Sequence, residues 1–104
     1  MRIGLVGGID RNEPVYRNIA ERGGHSLTFH SGRIGGRGSD ALALLARSVD
    51  FLIVVTDVNS HGAVHIARRA ARHYGVPLVL RRRCSPARLA ALVAGMSLAG
   101  GGPS

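Results

Sequence analysis

The residues with the most chemical potential in this sequence follow directly on an apolar run. Phe51–Val55 consists of five apolar residues, and Asp57, Ser60 and His61 come within six residues of its end. We expect the run to be a strand and His61 to lie in the first turn of the next helix. The positive end of the helix dipole disfavours a charged ring there, so the imidazole should be neutral. A neutral imidazole can ligate a metal or haem iron, or accept a proton as a general base.

Asp57 and His61 are therefore the candidate catalytic residues, and each also has a simpler explanation. Asp57 can orient a histidine or a ligand hydroxyl, but it can equally cap the next helix. His61 can be an ordinary surface histidine. His61 and His65 share a helical face, yet without an H-E-x-x-H pattern this pair is a weak zinc signal. His30, which ends another predicted strand, is the better companion to His61 as a metal or haem ligand.

Glycines and arginines form a second candidate site, for an anionic ligand or cofactor. Gly7 and Gly8 follow the first strand but lack the G-x-G-x-x-G spacing of a dinucleotide loop, so a tight turn explains them better. The Gly-rich segment 31–39 can present backbone N–H groups to an anion, although a plain connection explains it equally well. Besides the two histidines, the candidate cofactor-binding residues are Gly7, Gly8, Arg11, Arg33 and Ser60.

The run Arg81–Arg83 can also bind phosphate, although a solvated turn is the slightly better explanation. Cys84 follows this run directly, and an exposed thiol beside three arginines would have a lowered pKa. No C-x-x-C motif supports a catalytic thiol here. The adjacency of Ser60 and His61 in sequence does not establish a Ser-His-Asp arrangement either.

Apolar segments alternate with helix signals along the chain, and they predict four strands and four helices. The predicted strands are 2–6, 26–30, 51–55 and 76–80; the helices follow caps at Asn12, Ser39 and Asn59 or Ser60, and the last one spans 86–94. This alternation predicts a small three-layer α/β fold of Rossmann-like type, with a four-stranded parallel sheet of order 2-1-3-4 and helices on both faces. Ligands of such sheets bind beyond the carboxyl ends of the strands, where the polar segments described above converge.

Length and composition limit the alternatives. The 104 residues predict a single domain over 1–94 and a flexible C-terminal tail over 95–104. We see no signal peptide and no apolar run approaching the about 20 residues that span a bilayer, and the single cysteine fits a reducing cytoplasm. The net charge of +8 comes from 14 arginines and no lysine, which is typical of a GC-rich genome but still favours anionic partners.

Several motifs resemble those of one bacterial family, domain of unknown function 2325. They are the VGG near the start, the H-x-G of His30–Gly32, and above all TD-x-x-SH with a following basic helix and a V-P-L-V strand. The resemblance covers roughly residues 2–94. It implies a small Rossmann-like domain whose motif positions are Gly7, Gly8, His30, Gly32, Asp57, Ser60 and His61. The arginine run, His65 and the RIGGRG segment depart from the family pattern.

Three functions are compatible with this sequence. The first is a cofactor protein in which His61, with His30, ligates haem or a metal and supports oxygen or redox chemistry on a small molecule. The second is a binding or sensing module for a phosphorylated or carboxylated ligand. The third is a nucleic-acid-associated protein that relies on the +8 charge. It is less favoured because it predicts basic residues spread over one surface, whereas many of them here lie in the turns of the binding edge. Exposed edges of a four-stranded sheet also predict a homo-oligomer, and no membrane partner is expected.

Overall fold

The structure is a computed structural model. It describes residues 1–7, 12–31, 38–56 and 61–100, and within these ranges the side chains of Ser39, His61 and residues 96–100 are not described. Strands and helices alternate through the chain in the order β1 (Arg2–Val6), α1 (Glu13–Arg22), β2 (Ser26–His30), α2 (Gly38–Ser48), β3 (Phe51–Val55), α3 (His61–Tyr74), β4 (Leu78–Arg81) and α4 (Pro86–Gly100).

The four strands form one parallel sheet in the order β2-β1-β3-β4, which confirms the predicted fold and topology. Their registers bring the carboxyl ends into one row. Val6 of β1 lies opposite both His30 of β2 and Val54 of β3, and Val55 lies opposite Arg81 of β4. Whatever follows each strand therefore begins at the same edge of the sheet.

The core has two layers because successive side chains of a strand point to opposite faces. Leu52 and Val54 pack under α2 and α3, while Ile53 and Val55 pack under α1 and α4. All four are at most 3% exposed. The unbroken apolarity of β3 thus reflects burial on both faces, as the sequence predicted.

Two helices end where a glycine adopts a left-handed conformation. Gly24 has φ +82° and Gly75 has φ +68°, a region that side chains with a Cβ rarely adopt. After each glycine the next backbone N–H bonds back over five residues, from His25 to the oxygen of Ala20 at 2.9 Å and from Val76 to that of Ala71 at 2.8 Å. This is the Schellman arrangement, and it closes the helix while starting the next strand.

Three elements have boundaries that differ from the predicted ones. β4 begins at Leu78 instead of 76, because the Val76 N–H is used to close α3, and it continues through Arg81. The second helix begins at Gly38, so Ser39 lies inside it and not at its cap. α4 continues to Gly100 instead of ending at residue 94.

An ion pair fixes the opposite, amino-terminal edge of the sheet. The carboxylate of Asp50 accepts a hydrogen bond from the backbone N–H of Arg2 at 2.8 Å, and its other oxygen lies 3.3 Å from Nη2 of the same arginine. These backbone and side-chain bonds from Arg2 hold the pKa of Asp50 below its ordinary value. The contact joins the starts of β1 and β3.

No helix of the described part of the chain is both long and apolar enough to cross a bilayer.

Candidate functional site at the carboxyl edge of the sheet

Backbone hydrogen bonds join the strand ends in two pairs at the carboxyl edge. The N–H of Gly7, just after β1, donates to the oxygen of His30 at 2.8 Å. The N–H of Thr56, just after β3, donates to the oxygen of Arg81 at 2.7 Å. The first bond sets the VGG and H-x-G segments side by side, and the second sets the start of TD-x-x-SH beside the arginine run.

The centre of this edge is the gap between β1 and β3, where the strand order reverses. From β1 the chain moves to one side to form β2, and from β3 it moves to the other side to form β4. Such a switch point opens a crevice in which parallel sheets hold their ligands. Gly7 borders it from one side and Thr56 from the other, so the predicted location of the site agrees with the topology.

Most of the predicted site residues follow the strands in sequence and are not described by the structure. Gly8, Arg11, Gly32, Arg33, Asp57 and Ser60 lie outside the described residues. His61 is the first residue of α3, in agreement with the predicted position in the first helical turn, but its side chain is outside the described set. The roles proposed for these residues stay predictions.

Gly7 is buried and has φ +85°, so the turn after β1 requires a glycine for conformational reasons. In this conformation the backbone N–H of Gly7 donates to the carbonyl of His30. The sequence offers two explanations for Gly7 and Gly8, a tight turn and a ligand-binding glycine loop, and favours the tight turn. Such a turn does not prevent a ligand from approaching the same backbone.

His30 is half-buried at the end of β2, and its ring is held by the first residue of α2. Nε2 lies 3.2 Å from the carbonyl oxygen of Gly38. Because a carbonyl oxygen can only accept, Nε2 carries the hydrogen, and in the neutral ring the lone pair is on Nδ1. Histidines that ligate a metal commonly donate their other ring N–H to a carbonyl or carboxylate in this way. The arrangement is compatible with ligation through Nδ1 and incompatible with ligation through Nε2.

An arginine cluster lies at the β4 end of the same edge. Arg81, Arg82, Arg83 and Arg88 line a groove of about 510 Å³ together with Leu80, and all four arginines are exposed. Arg88 belongs to the first turn of α4, where its backbone N–H donates to Oγ of Ser85 at 3.3 Å. Ser85 thereby caps the helix ahead of Pro86, a residue suited to the first helical position. The positive end of the α4 dipole thus adds to the charge of the cluster.

Cys84 does not take part in this cluster, and the expected low pKa of an exposed thiol does not apply. Its side chain is only 6% exposed and packs with Leu89 and Val93 under the sheet. Burial raises the pKa of the Cys84 thiol, against the opposing influence of Arg81 and Arg88. The backbone oxygen of Cys84 accepts a 2.8 Å hydrogen bond from the hydroxyl of Tyr16, which ties the turn before α4 to α1.

A family comparison agrees with the motif resemblance. The family model described as "Uncharacterized protein conserved in bacteria (DUF2325)" matches residues 2–95. The chain belongs to this family. A de novo designed Rossmann fold protein is similar in structure, with a TM-score of 0.56 and 17% identity over 92% of this chain and 96% of the design. At that identity the likeness concerns the fold alone. No curated protein matches the chain.

Arg81–Arg83 are exposed and Arg81 is still in β4, which agrees with the solvated turn that the sequence slightly favours for this run. Arg88 is not among the residues that the sequence motifs single out. The Ser-Pro pair at 85–86 was the available signal, since it places Arg88 in the first turn of a helix that starts at the binding edge. Within the described residues no three His, Cys, Asp or Glu side chains are grouped to hold a metal ion.

Proposed function

We propose that this protein binds a small anionic molecule, phosphorylated or carboxylated, at the carboxyl edge of its sheet. The observation that carries the proposal is the 2.7 Å hydrogen bond from the Thr56 N–H to the Arg81 oxygen. It holds the arginine-bearing end of β4 against the first residue of the TD-x-x-SH segment. The first residue of a family motif and a concentration of positive charge therefore lie next to each other at the carboxyl edge.

The arginine groove has the size and chemistry for such a ligand. Its volume of about 510 Å³ lies within the range of ordinary small-molecule pockets, about 300–1,000 Å³. Guanidinium groups bind phosphate and carboxylate oxygens in pairs, and each such bond is stronger than one between neutral groups. Leu80 provides an apolar wall at the same groove. An anionic head group on an otherwise apolar or neutral molecule would match this lining.

The loops of the switch point would complete the site. The Gly7 N–H already donates to the His30 oxygen, so the backbone N–H groups that would face the anion are those of Gly8 and of the segment 31–39. Arg11 and Arg33 would add charge. Asp57 and His61 would orient the rest of the ligand by hydrogen bonds. In this proposal these two side chains bind the ligand without carrying out a reaction on it.

Titration calorimetry with inorganic phosphate, pyrophosphate and citrate tests the proposal. We expect at least one of these anions to bind the wild-type protein with a 1:1 stoichiometry. The double variant Arg81→Gln/Arg88→Gln should bind at least 10-fold more weakly, because hydrogen bonds to charged groups contribute about 1.5–3 kcal/mol each. Increasing salt should weaken binding in the wild type more than in the variant.

The matched control is a second double variant, Arg22→Gln/Arg47→Gln. Both arginines are exposed and lie in the last turns of α2 and α1, which end at the amino edge of the sheet. This variant loses the same two charges and should keep wild-type affinity. If both double variants bind the anion equally weakly, the loss comes from the lower net charge and not from the arginine groove. If the wild type binds none of the anions, the proposal is refuted.

Haem or metal binding is the second candidate function, and the geometry of His30 favours it. The hydrogen bond from Nε2 to the Gly38 oxygen sets the tautomer and ring orientation that a ligating histidine needs. The ends of β2, with His30, and of β3, which precedes His61 in sequence, are two strand spacings apart, roughly 10 Å. Haem bound there would supply oxygen or redox chemistry, and arginines at the edge would pair with its propionates.

A visible absorption spectrum before and after addition of hemin tests this second candidate. We expect a sharp Soret band with the wild type and its loss in His61→Ala, with a shifted or weakened band in His30→Ala. His73→Ala is the control, because this exposed histidine lies in the last turn of α3, at the other end of the helix. A wild-type spectrum that is merely the sum of protein and free hemin would rule out the haem proposal.

A further inference from the structure

Positive charge is segregated along this chain. Residues 58–104 contain seven arginines and no Asp or Glu, whereas residues 1–57 contain the other seven arginines and all six acidic residues. The formal charge of +8 therefore divides into +7 and +1. A genome rich in arginine codons accounts for the number of arginines, but it does not account for the absence of acidic residues from one part of the chain.

Much of this charge is collected on the outer face of α3. At 100° per residue the buried and exposed positions of the helix fall on opposite sides. The buried side is made of small apolar residues, namely Ala63, Ala67, Ala70 and Ala71. The opposite side carries the exposed residues His65, Arg68, Arg69 and Arg72. α3 contains no acidic residue to neutralise them.

Two of these arginines repel each other. Arg68 and Arg72 are four residues apart, and like charges at this spacing are unfavourable. The ion pairs of the described residues join Arg2 to Asp50 and Arg17 to Glu13, and neither involves α3. A helix that only had to cover the sheet would gain from Glu at some of these positions. The uniform charge is better explained by an anionic partner outside the chain.

The shape of this surface suits an extended partner. Arg69 and Arg72 stand between two open grooves, one of about 470 Å³ toward α2 and one of about 300 Å³ on the other side. The residues from His65 to Arg72 cover about 10 Å along the helix axis. A convex ridge of this kind fits between the phosphate strands of a nucleic-acid duplex, whose major groove in B-DNA is about 12 Å wide.

We propose that the outer face of α3 binds the phosphate backbone of a nucleic-acid duplex. Two other polyanionic partners fit the surface less well. Single strands are held by stacking on aromatic rings, but only four aromatic residues are present and Tyr16 is fully buried. Anionic membranes are bound by helices that also insert apolar side chains, and the apolar side of α3 is occupied by the core. This surface is separate from the arginine groove at the carboxyl edge.

Fluorescence anisotropy with a labelled 20-base-pair DNA duplex tests the proposal. We expect the wild type to bind the duplex. A plot of log K against the logarithm of the salt concentration should have a slope near −2.7, about −0.9 for each of three phosphate contacts. The triple variant Arg68→Gln/Arg69→Gln/Arg72→Gln should bind at least 10-fold more weakly and have a slope near zero. An RNA duplex of the same sequence, run in parallel, identifies which duplex the face prefers, and binding of either one supports the proposal.

The control removes three other exposed arginines, in the variant Arg17→Gln/Arg22→Gln/Arg47→Gln. It has the same formal charge as the α3 variant and differs from it only in the position of the removed arginines. If the α3 face is the binding surface, this control should keep most of its affinity for the duplex. The variant Arg81→Gln/Arg88→Gln should bind small anions more weakly but bind the duplex as the wild type does. The two results distinguish a failure of this proposal from a failure of the proposed function. Equal losses in the two triple variants, binding restricted to single strands, or no duplex binding at 50 mM salt would each overturn the proposal.

Discussion

Replacing Tyr16 by Ala is expected to lower the free energy of unfolding by about 3–5 kcal/mol, the usual cost of deleting a large buried ring. Tyr16 is fully buried, stacks on Phe29 with ring centroids 6.4 Å apart, and bonds through its hydroxyl to the Cys84 oxygen. A protein of this size is stable by only about 5–15 kcal/mol. The Ala variant should therefore be close to unfolding at 37 °C.

Tyr16→Phe isolates the hydroxyl, and we expect it to cost about 1–3 kcal/mol because the buried Cys84 carbonyl loses its donor. Urea denaturation followed by circular dichroism measures the difference. Tyr74→Phe is the matched control, since Tyr74 is 45% exposed at the end of α3 and should change stability by less than about 0.5 kcal/mol. Equal denaturation midpoints for the two Phe variants would contradict this role of the hydroxyl.

This hydrogen bond also bears on the candidate site. It fixes the backbone between the end of β4, which carries Arg81, and the start of α4, which carries Arg88. The groove at the carboxyl edge is thus positioned by a residue of α1, 68 positions away in sequence from its hydrogen-bond partner. Nothing in the local sequence around Tyr16 or Cys84 indicates that the two meet.

The fold was predictable because its signals are local. β3 is a run of β-branched and aliphatic residues with no interruption, and the glycines at 24 and 75 end helices by their own conformational freedom. Given four strands that alternate with helices, right-handed crossovers leave few arrangements. The family motifs supported the same reading, and the match over residues 2–95 confirms the resemblance.

The errors arose where pairing or packing overrides local preference. β4 reaches Arg81 because that residue pairs with Val55 and its oxygen receives the Thr56 N–H, and neither contact can be seen in the sequence LVLR. The three arginines before Cys84 leave open whether its thiol is exposed. Its burial depends on the packing of α4, which places Cys84 in one core cluster with Leu89 and Val93.

The site was predictable in place and only partly in detail. The topology puts His30, Gly7 and Thr56 at the carboxyl edge, as the sequence pattern required. The contact of His30 Nε2 with the Gly38 oxygen could not be foreseen, because the two residues are eight positions apart and belong to different elements. The chemistry of Asp57 and His61 stays a prediction that the variants described above can test.

Cys84 is expected to react with iodoacetamide roughly a thousandfold or more slowly in the native protein than in urea, because the reaction requires unfolding and folded domains open that rarely. Two features protect it: the side chain is 6% exposed, and burial raises the pKa of the thiol, so that less of it is the reactive thiolate. Mass spectrometry of samples quenched over time measures the rate. An exposed thiol among arginines would react rapidly instead.

The raised pKa of Cys84 makes the stability of the fold, and with it the labelling rate, depend on pH in one direction. Since the folded pKa of Cys84 lies above the unfolded value of about 8.5, the folded state holds this proton more tightly. Its contribution to stability is fully present below the unfolded pKa and is lost as pH rises toward the folded pKa. Above about pH 8.5 labelling should therefore accelerate more steeply than thiolate formation in a free cysteine.

A control thiol at Ala87, placed by Ala87→Cys in a Cys84→Ser background, should react at the rate of an unfolded cysteine because that position is exposed in the first turn of α4. Tyr16→Phe provides the stricter test, since labelling through unfolding makes the rate proportional to the unfolded fraction. Each 1.4 kcal/mol that this variant loses should speed labelling of Cys84 about tenfold. Fast labelling of the wild type that Tyr16→Phe leaves unchanged would instead mean that the Cys84 sulfur is reached in the folded protein without breaking the Tyr16 hydrogen bond.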